Sequence, residues 1–171
     1  MQVSILPVGD LPEVVVAGLD ADLRRAGVEV TVLPPREVPS AAYDGTRHQY
    51  RAPDFLALAR RAHGGHVLAV TEVDLYVEPL SFVFGQADVG GHAAVISSRR
   101  LSSEDPTLFR LRVLKEALHE LGHNRGLNHC ADPTCIMHFS NELGHTDRKG
   151  PNLCPACTGH LGGQAPWRVP D

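Results

Sequence analysis

The chain has 171 residues, of which 43% are hydrophobic and 21% are charged, and its formal net charge is -4. This balance excludes a disordered chain and disfavours a strongly basic nucleic-acid binder. No apolar run approaches the roughly 18 residues of a membrane span, and the first ten residues lack the pattern of a signal peptide. We therefore expect one cytoplasmic domain over residues 1–171, with neither membrane nor nucleic acid as a partner.

The N-terminal residues predict a strand, a helix and a second strand. Residues 2–8 have strand-like alternation, and the run from Asp10 to Glu13 supplies an N-cap, a proline and an early acidic residue. Apolar side chains then recur at helical spacing as far as Gly27, which precedes the β-branched run 28–33. This order predicts a parallel strand pair joined by a right-handed crossover.

Residues 34–53 contain four prolines and no sustained apolar period, so they predict a long surface loop. The polar side chains of Arg47, His48, Gln49 and Tyr50 lie in this loop. Such side chains usually meet water, and we assign them no catalytic role.

A second helix is predicted from Pro53 to the glycine pair at 64 and 65, followed by three strands. The strands are expected at residues 66–73, 80–86 and 93–98. Residues 80–86 alternate in a way that suits an edge strand with one wetter face.

A third helix is predicted from Pro106, with Ser103 or Asp105 as its cap. Leucines recur through it at spacings of three and four, which is typical of a helix that packs on a sheet. They are Leu108, Leu111, Leu114, Leu118 and Leu121.

The same helix carries the motif H-E-x-x-H-x-x-G-x-x-H. His119 and His123 are four residues apart, so they lie on one helix face and can bind one zinc ion. The glycine at 126 can end the helix and turn His129 towards the same ion. Three protein ligands leave a coordination position for water, and Glu120 can accept the proton of that water. The spacing predicts a catalytic zinc site.

All four cysteines lie in the last quarter of the chain. Cys130 and Cys135 form one pair, Cys154 and Cys157 form a C-x-x-C pair, and eighteen residues separate the pairs. This spacing is typical of a structural zinc ion bound by four thiolates. Two disulfides, or a redox-active pair at Cys154 and Cys157, are the alternatives.

The run HELGHNRGLNHC, with the three later cysteines and Met137, resembles the archaemetzincins, a branch of the metzincin metallopeptidases. The resemblance implies an α/β fold of the α+β zincin type, with a twisted, mostly parallel five-stranded sheet and an active-site helix. A sheet subdomain over about 1–125 would precede a methionine turn and a zinc-bound helical segment over about 126–171. The resemblance also makes Met137 the methionine beneath the catalytic zinc.

In metzincins the substrate typically pairs with an edge strand, which makes residues 80–86 the candidate strand here. The expected function is zinc-dependent hydrolysis of peptides by a monomer with two zinc ions, with aminopeptidase-like cleavage of short peptides as one form. The alternative is a catalytically quiet zinc protein that binds a peptide or protein in the same cleft. A zinc-ribbon nucleic-acid binder is disfavoured, because the cysteine segment has few basic residues beyond Arg148 and Lys149.

Overall fold

The computed structural model describes residues 1–170, which form eight strands and five α-helices in that part of the chain. The strands are β1 (Gln2–Pro7), β2 (Glu29–Val32), β3 (Tyr43–Asp44), β4 (Gln49–Arg51), β5 (His66–Thr71), β6 (Leu75–Tyr76), β7 (Gly85–Ala87) and β8 (Ala93–Ser97). The helices are α1 (Glu13–Arg25), α2 (Ala52–Arg61), α3 (Pro106–Asn124), α4 (Leu143–Arg148) and α5 (Pro155–His160).

The main sheet has five strands in the order β2-β1-β5-β8-β7. All its pairs are parallel except the pair of β7 with β8, which is antiparallel and leaves β7 at the edge. The predicted twisted, mostly parallel sheet is confirmed, as is the parallel pair of β1 and β2 around α1. The expected cap of α1 is wrong in detail, because Pro12 is the N-cap residue and no side chain caps the helix.

Helices cover both faces of this sheet, because its strands present apolar side chains alternately to each side. Ile5, Leu68 and Ile96 face the layer that contains α1 and α3. Their neighbours in sequence belong to a second core with α2, around Phe55 and Leu56. The sheet is therefore buried on both faces, which matches its nearly continuous apolar strands.

Residues 34–53 are not the plain loop that the sequence predicts. They contain the hairpin of β3 and β4, and β4 also pairs in parallel with β6 to form a second, three-stranded sheet. The pairing of Tyr50 with Leu75 joins residues that are distant in sequence, so local propensity did not reveal it. Helix α2 begins at Ala52, one residue before the predicted proline start.

The predicted strand at 80–86 is also wrong over most of its length. Only Gly85–Ala87 is a strand, and the preceding residues 77–84 follow an irregular path beside it. The carbonyl oxygens of Leu80 and Ser81 accept hydrogen bonds from side chains of the β3–β4 hairpin rather than from a neighbouring strand.

Helix α3 confirms its predicted start, since the Asp105 side chain accepts a hydrogen bond of 2.8 Å from the backbone N–H of Thr107. The apolar stripe is only partly correct, because Leu111 is 36% exposed, whereas Leu114 and Leu118 are buried. From Arg112 onwards every residue of α3 is buried. The second half of α3 is thus a central helix, enclosed by the sheet and by the C-terminal segment.

The C-terminal segment packs against α3 through α4, α5 and the chain beyond them. Trp167 is 3% exposed, and its indole Nε1 donates a hydrogen bond of 3.2 Å to the Pro151 carbonyl. The side-chain amide of Asn152 donates from Nδ2 to the Val169 carbonyl and accepts at Oδ1 from the Val169 N–H, each over 2.9 Å. In residues 1–170, no helix is long and apolar enough to cross a bilayer.

Candidate functional site

The three predicted histidines come together at the C-terminal end of α3. His119 and His123 lie one turn apart, and their Nε2 atoms are 3.2 Å from each other. The ring of His129 lies 5.4 Å from that of His119 and 4.9 Å from that of His123, measured between centroids. One nitrogen from each ring lies within 4.8 Å of the other two.

The backbone fixes which nitrogen of the two helical rings is free. His119 Nδ1 donates a hydrogen bond of 2.8 Å to the Ile136 carbonyl, and His123 Nδ1 donates one of 2.7 Å to the Leu127 carbonyl. Each Nε2 atom therefore keeps a free lone pair that can bind a metal ion, and the two Nε2 atoms face each other. Two nitrogens bound to a tetrahedral zinc ion would be about 3.3 Å apart, so the spacing fits this metal.

Gly126 brings the third histidine into place. Its φ of 88° lies in the left-handed region, which a residue without a side chain enters at low cost. The N–H of Gly126 donates to the His123 carbonyl (2.8 Å), and the N–H of Leu127 donates to that of Gly122 (3.1 Å), so the helix closes here. The chain then turns back and places His129 over the end of α3.

The surroundings of the three imidazoles shift them towards the neutral form. It lowers the pKa of His119 well below its ordinary value of 6.5, and the charge of Lys149 lowers it further. Burial likewise lowers the pKa of His123, and partial desolvation lowers that of His129, which is the most exposed of the three. Neutral imidazole is the form that binds a metal, so the electrostatics agree with the geometry.

Glu120 lies beside the histidines and is 4% exposed. Burial raises the pKa of its carboxyl well above the ordinary value of 4.5, and the neighbouring Glu116 adds to this, while Lys149 opposes it. Strand β7 passes close by, since a Cβ added to Gly85 would lie 2.6 Å from Glu120 Oε1. A carboxyl group with a raised pKa in a cleft is suited to proton transfer.

Met137 packs against α3 next to His123, at Gly122. Met137 is fully buried, and its Sδ packs against Gly122 so closely that a Cβ there would collide with it. Its carbonyl accepts a hydrogen bond of 2.9 Å from the N–H of Cys130. The turn that contains Met137 therefore connects Gly122 of α3 to Cys130 of the cysteine cluster.

The four cysteines also come together, as free thiols. The Sγ atoms are 3.8 Å apart between Cys130 and Cys154, and 3.8 Å apart between Cys135 and Cys157. A disulfide needs about 2.05 Å. Thiolates at about 2.3 Å from a tetrahedral zinc ion would be about 3.8 Å apart, so this spacing fits zinc. The backbone N–H of Cys157 lowers the pKa of the Cys154 thiol, which favours a thiolate there.

A cleft of about 390 Å³ opens in front of Glu120. Its lining is mainly apolar on the side of residues 77–84 and polar along α3 and near residue 140. The lining residues are Val77, Leu80, Ser81, Phe82, Val83, Phe84, Gly85, Gln86, Glu116, His119, Glu120, His129, Phe139, Ser140 and Asn141.

Sequence reasoning missed a buried ion pair behind this cleft. Lys149 Nζ lies 3.0 Å from Glu116 Oε1, and the two side chains are 0% and 3% exposed. The hydroxyl of Thr146 donates to the same carboxylate oxygen (3.1 Å). Glu116 precedes Glu120 by one helical turn, so its position on the same face of α3 was a usable signal. Lys149 gave no such signal, because a lysine in a polar segment ordinarily meets water.

Comparisons with known proteins identify the family of the chain. A family model described as peptidase family M54 matches residues 54–162. The archaemetzincin of Natronomonas pharaonis is 41% identical over 168 residues, which cover 92% of this chain and 97% of that protein. The crystal structure of the archaemetzincin from Methanopyrus kandleri has a TM-score of 0.85 at 40% identity and covers 95% of this chain and 93% of its own. That of Archaeoglobus fulgidus, complexed with malonate, has a TM-score of 0.84 at 37% identity and covers 93% and 99%. The chain belongs to peptidase family M54, the archaemetzincins, and is a zinc metallopeptidase.

Proposed function

We propose that His119, His123 and His129 bind a catalytic zinc ion and that Glu120 is the general base for hydrolysis of a peptide bond. The observation that carries this proposal is the convergence of three imidazoles beside a buried carboxyl group at the cleft. When bound, zinc supplies a Lewis acid that polarises a carbonyl group and acidifies water.

The carboxyl group of Glu120 moves the proton. In the carboxylate form it accepts a proton from the attacking water, and it then donates this proton to the nitrogen of the leaving amine. Its raised pKa makes the protonated form more accessible than in an exposed glutamate, which suits a group that must also donate a proton. Glu120 is 4% exposed, so little bulk water reaches its carboxyl group.

The free edge of β7 is the proposed binding strand for the peptide backbone. Hydrogen bonds from Ser97 to Phe84 (2.8 Å) and from Asp88 to Ala93 (3.0 Å) fix the alternation of the antiparallel pair. The N–H and C=O groups of Gly85 and Ala87 consequently point away from β8, where a peptide can pair with them.

We propose short peptides as substrates, with aminopeptidase-like removal of terminal residues as one form of the activity. A three-residue edge and a cleft of about 390 Å³ suit a few residues rather than a folded protein. The protein would act as a monomer, without a nucleic-acid partner, in the cytoplasm. The four cysteines support this location. The cytoplasm is reducing, whereas disulfide formation in an oxidising compartment would remove the thiolates from the second metal.

The base role is tested by comparing wild type and Glu120→Gln on a library of short peptides, with Glu13→Gln on the exposed start of α1 as the matched control. We expect loss of cleavage only in Glu120→Gln, with the zinc content unchanged. Equal cleavage by wild type and Glu120→Gln would refute the role. Peptide binding without cleavage by fully zinc-loaded wild type would instead support the catalytically quiet alternative.

We further propose a second, structural zinc ion on Cys130, Cys135, Cys154 and Cys157. Metal analysis should find two zinc ions per chain in wild type and one each in Cys154→Ser and His123→Ala. The cysteine variant should also lose thermal stability, because binding at a structural zinc site is coupled to folding. One zinc ion in wild type, or unchanged zinc in Cys154→Ser, would contradict this assignment.

A further inference from the structure

Residues 77–84 form one wall of the cleft without belonging to a strand or helix. Two backbone hydrogen bonds link this wall to β6 and to itself: the N–H of Val83 donates to Leu75 (2.9 Å), and that of Leu80 donates to Val77 (2.8 Å). The side chains of Leu80 and Phe82 line the cleft, so the path of this backbone decides its shape.

The side chain of Arg47, from the β3–β4 hairpin, binds the backbone of this wall. Its Nη2 donates to the carbonyl oxygens of Leu80 (3.1 Å) and Ser81 (3.2 Å), and its Nη1 lies 3.2 Å from Glu78 Oε1. The guanidinium group also stacks on the ring of Tyr76, 4.1 Å from its centroid. The planar, five-donor guanidinium satisfies carbonyl groups that no strand reaches.

Gln49, two residues after Arg47, also binds the backbone of the wall. Its Nε2 donates to the Ser81 carbonyl (3.0 Å) and to Asp74 (3.1 Å), and its Oε1 accepts a hydrogen bond from Arg47 Nε (3.2 Å). Gln49 is only 7% exposed. The turn at His48, with a φ of 54°, lets both side chains point at the wall.

We propose that Arg47 and Gln49 are positioning residues for substrate binding in this peptidase. They fix the Leu80 and Ser81 carbonyls, and through them the wall that a bound peptide contacts. The cleft lining within residues 1–170 does not include either side chain, so they act through the wall and not on the reacting atoms. Their loss should raise KM and leave kcat nearly unchanged. This inference rests on the proposed peptidase function.

The test compares Arg47→Met, Arg47→Lys and Gln49→Leu with the control Arg51→Met. Arg51 lies on β4, four residues after Arg47, and carries the same charge, but it contacts Asp54 and the Ala41 carbonyl instead of the wall. We expect KM for a cleaved peptide to rise about tenfold in Arg47→Met, which corresponds to the loss of one or two hydrogen bonds, with kcat within about twofold of wild type. Arg47→Lys should recover part of the loss, because an ammonium group can donate to one of the two carbonyls.

Amide hydrogen exchange gives a readout that needs no turnover. Exchange at Leu80 and Val83 should be faster in Arg47→Met and Gln49→Leu than in wild type, and unchanged in Arg51→Met. A fall in kcat at constant KM, or unchanged exchange at these amides, would overturn the proposal. If wild type cleaves no peptide, the peptidase proposal fails separately. The dissociation constant of a fluorescein-labelled random hexapeptide pool then replaces KM, and equal binding by wild type and Arg47→Met would overturn the positioning role.

Discussion

Replacing Gly85 with alanine perturbs the contact between β7 and the carboxyl group of Glu120. The new Cβ would lie 2.6 Å from Glu120 Oε1 and 2.7 Å from the Val95 carbonyl oxygen. Ordinary contacts begin near 3.5 Å, so the carboxylate must move by roughly 1 Å. Because the backbone of β8 is held within the sheet, the edge strand β7 must also shift away from the Val95 carbonyl. The variant therefore displaces the proposed base without removing it.

A displacement of about 1 Å at a reacting group costs roughly 100-fold in rate. We accordingly expect kcat for a cleaved peptide to fall about 100-fold in Gly85→Ala. The extra methyl group in a closely packed site should also reduce the free energy of unfolding by about 1–3 kcal/mol. Zinc content should not change, because Gly85 lies against the carboxyl group and not against the imidazole nitrogens.

The assay is steady-state cleavage of a peptide that wild type hydrolyses, with unfolding measured by urea. Gly159→Ala is the matched control, because a Cβ there has no heavy atom within 4 Å. Glu120→Asp retracts the carboxylate by one methylene group, so the double variant with Gly85→Ala should be more active than additivity of the two single changes allows. The reasoning is refuted if Gly85→Ala keeps wild-type kcat, or if the double variant is strictly additive.

Two further predictions concern stability. Lys149→Met should reduce the free energy of unfolding by about 3–5 kcal/mol, because it leaves the buried Glu116 carboxylate without its partner, and Lys149→Met combined with Glu116→Gln should recover part of this loss in urea unfolding. Lys149→Met with the stability of wild type would contradict a stabilising role for the ion pair. Burial lowers the pKa of His66 below 6.5, so the unfolded chain binds more protons and the stability of wild type should fall as the pH drops below about 6.5. His66→Gln should lose stability less steeply over this range, whereas the exposed control His63→Gln should follow wild type. Parallel curves of stability against pH for His66→Gln and wild type would show the prediction to be wrong.

The histidine cluster could be predicted because most of its geometry is local. His119 and His123 are placed by the helical repeat itself, and the start of α3 is marked by Asp105 beside a proline. The turn to His129 depends on the positive φ of Gly126, which glycine adopts at low cost. Each of these features is decided within a few residues of the sequence.

The wall of the cleft could not be predicted in the same way. Residues 80–86 have the alternation of a strand, but the carbonyls of Leu80 and Ser81 accept hydrogen bonds from Arg47, more than thirty residues earlier. The burial of Lys149 likewise depends on Glu116, which belongs to another element. The neighbouring residues in sequence do not indicate such distant partners. Local patterns alone therefore assign residues 80–86 to an ordinary strand and Lys149 to the solvated surface.

The bond between the Cys130 N–H and the Met137 carbonyl has a consequence for the order in which the site forms. Two of the proposed ligands need only one turn of α3, whereas the chain directly after His129 is also held by contacts from Cys130 to Met137 and to Cys154. Closing these loops costs chain entropy that a helical turn does not, so the third ligand should arrive after the first two. We therefore expect the proposed site to be completed late in folding, when most of the backbone is already folded and protected from cleavage.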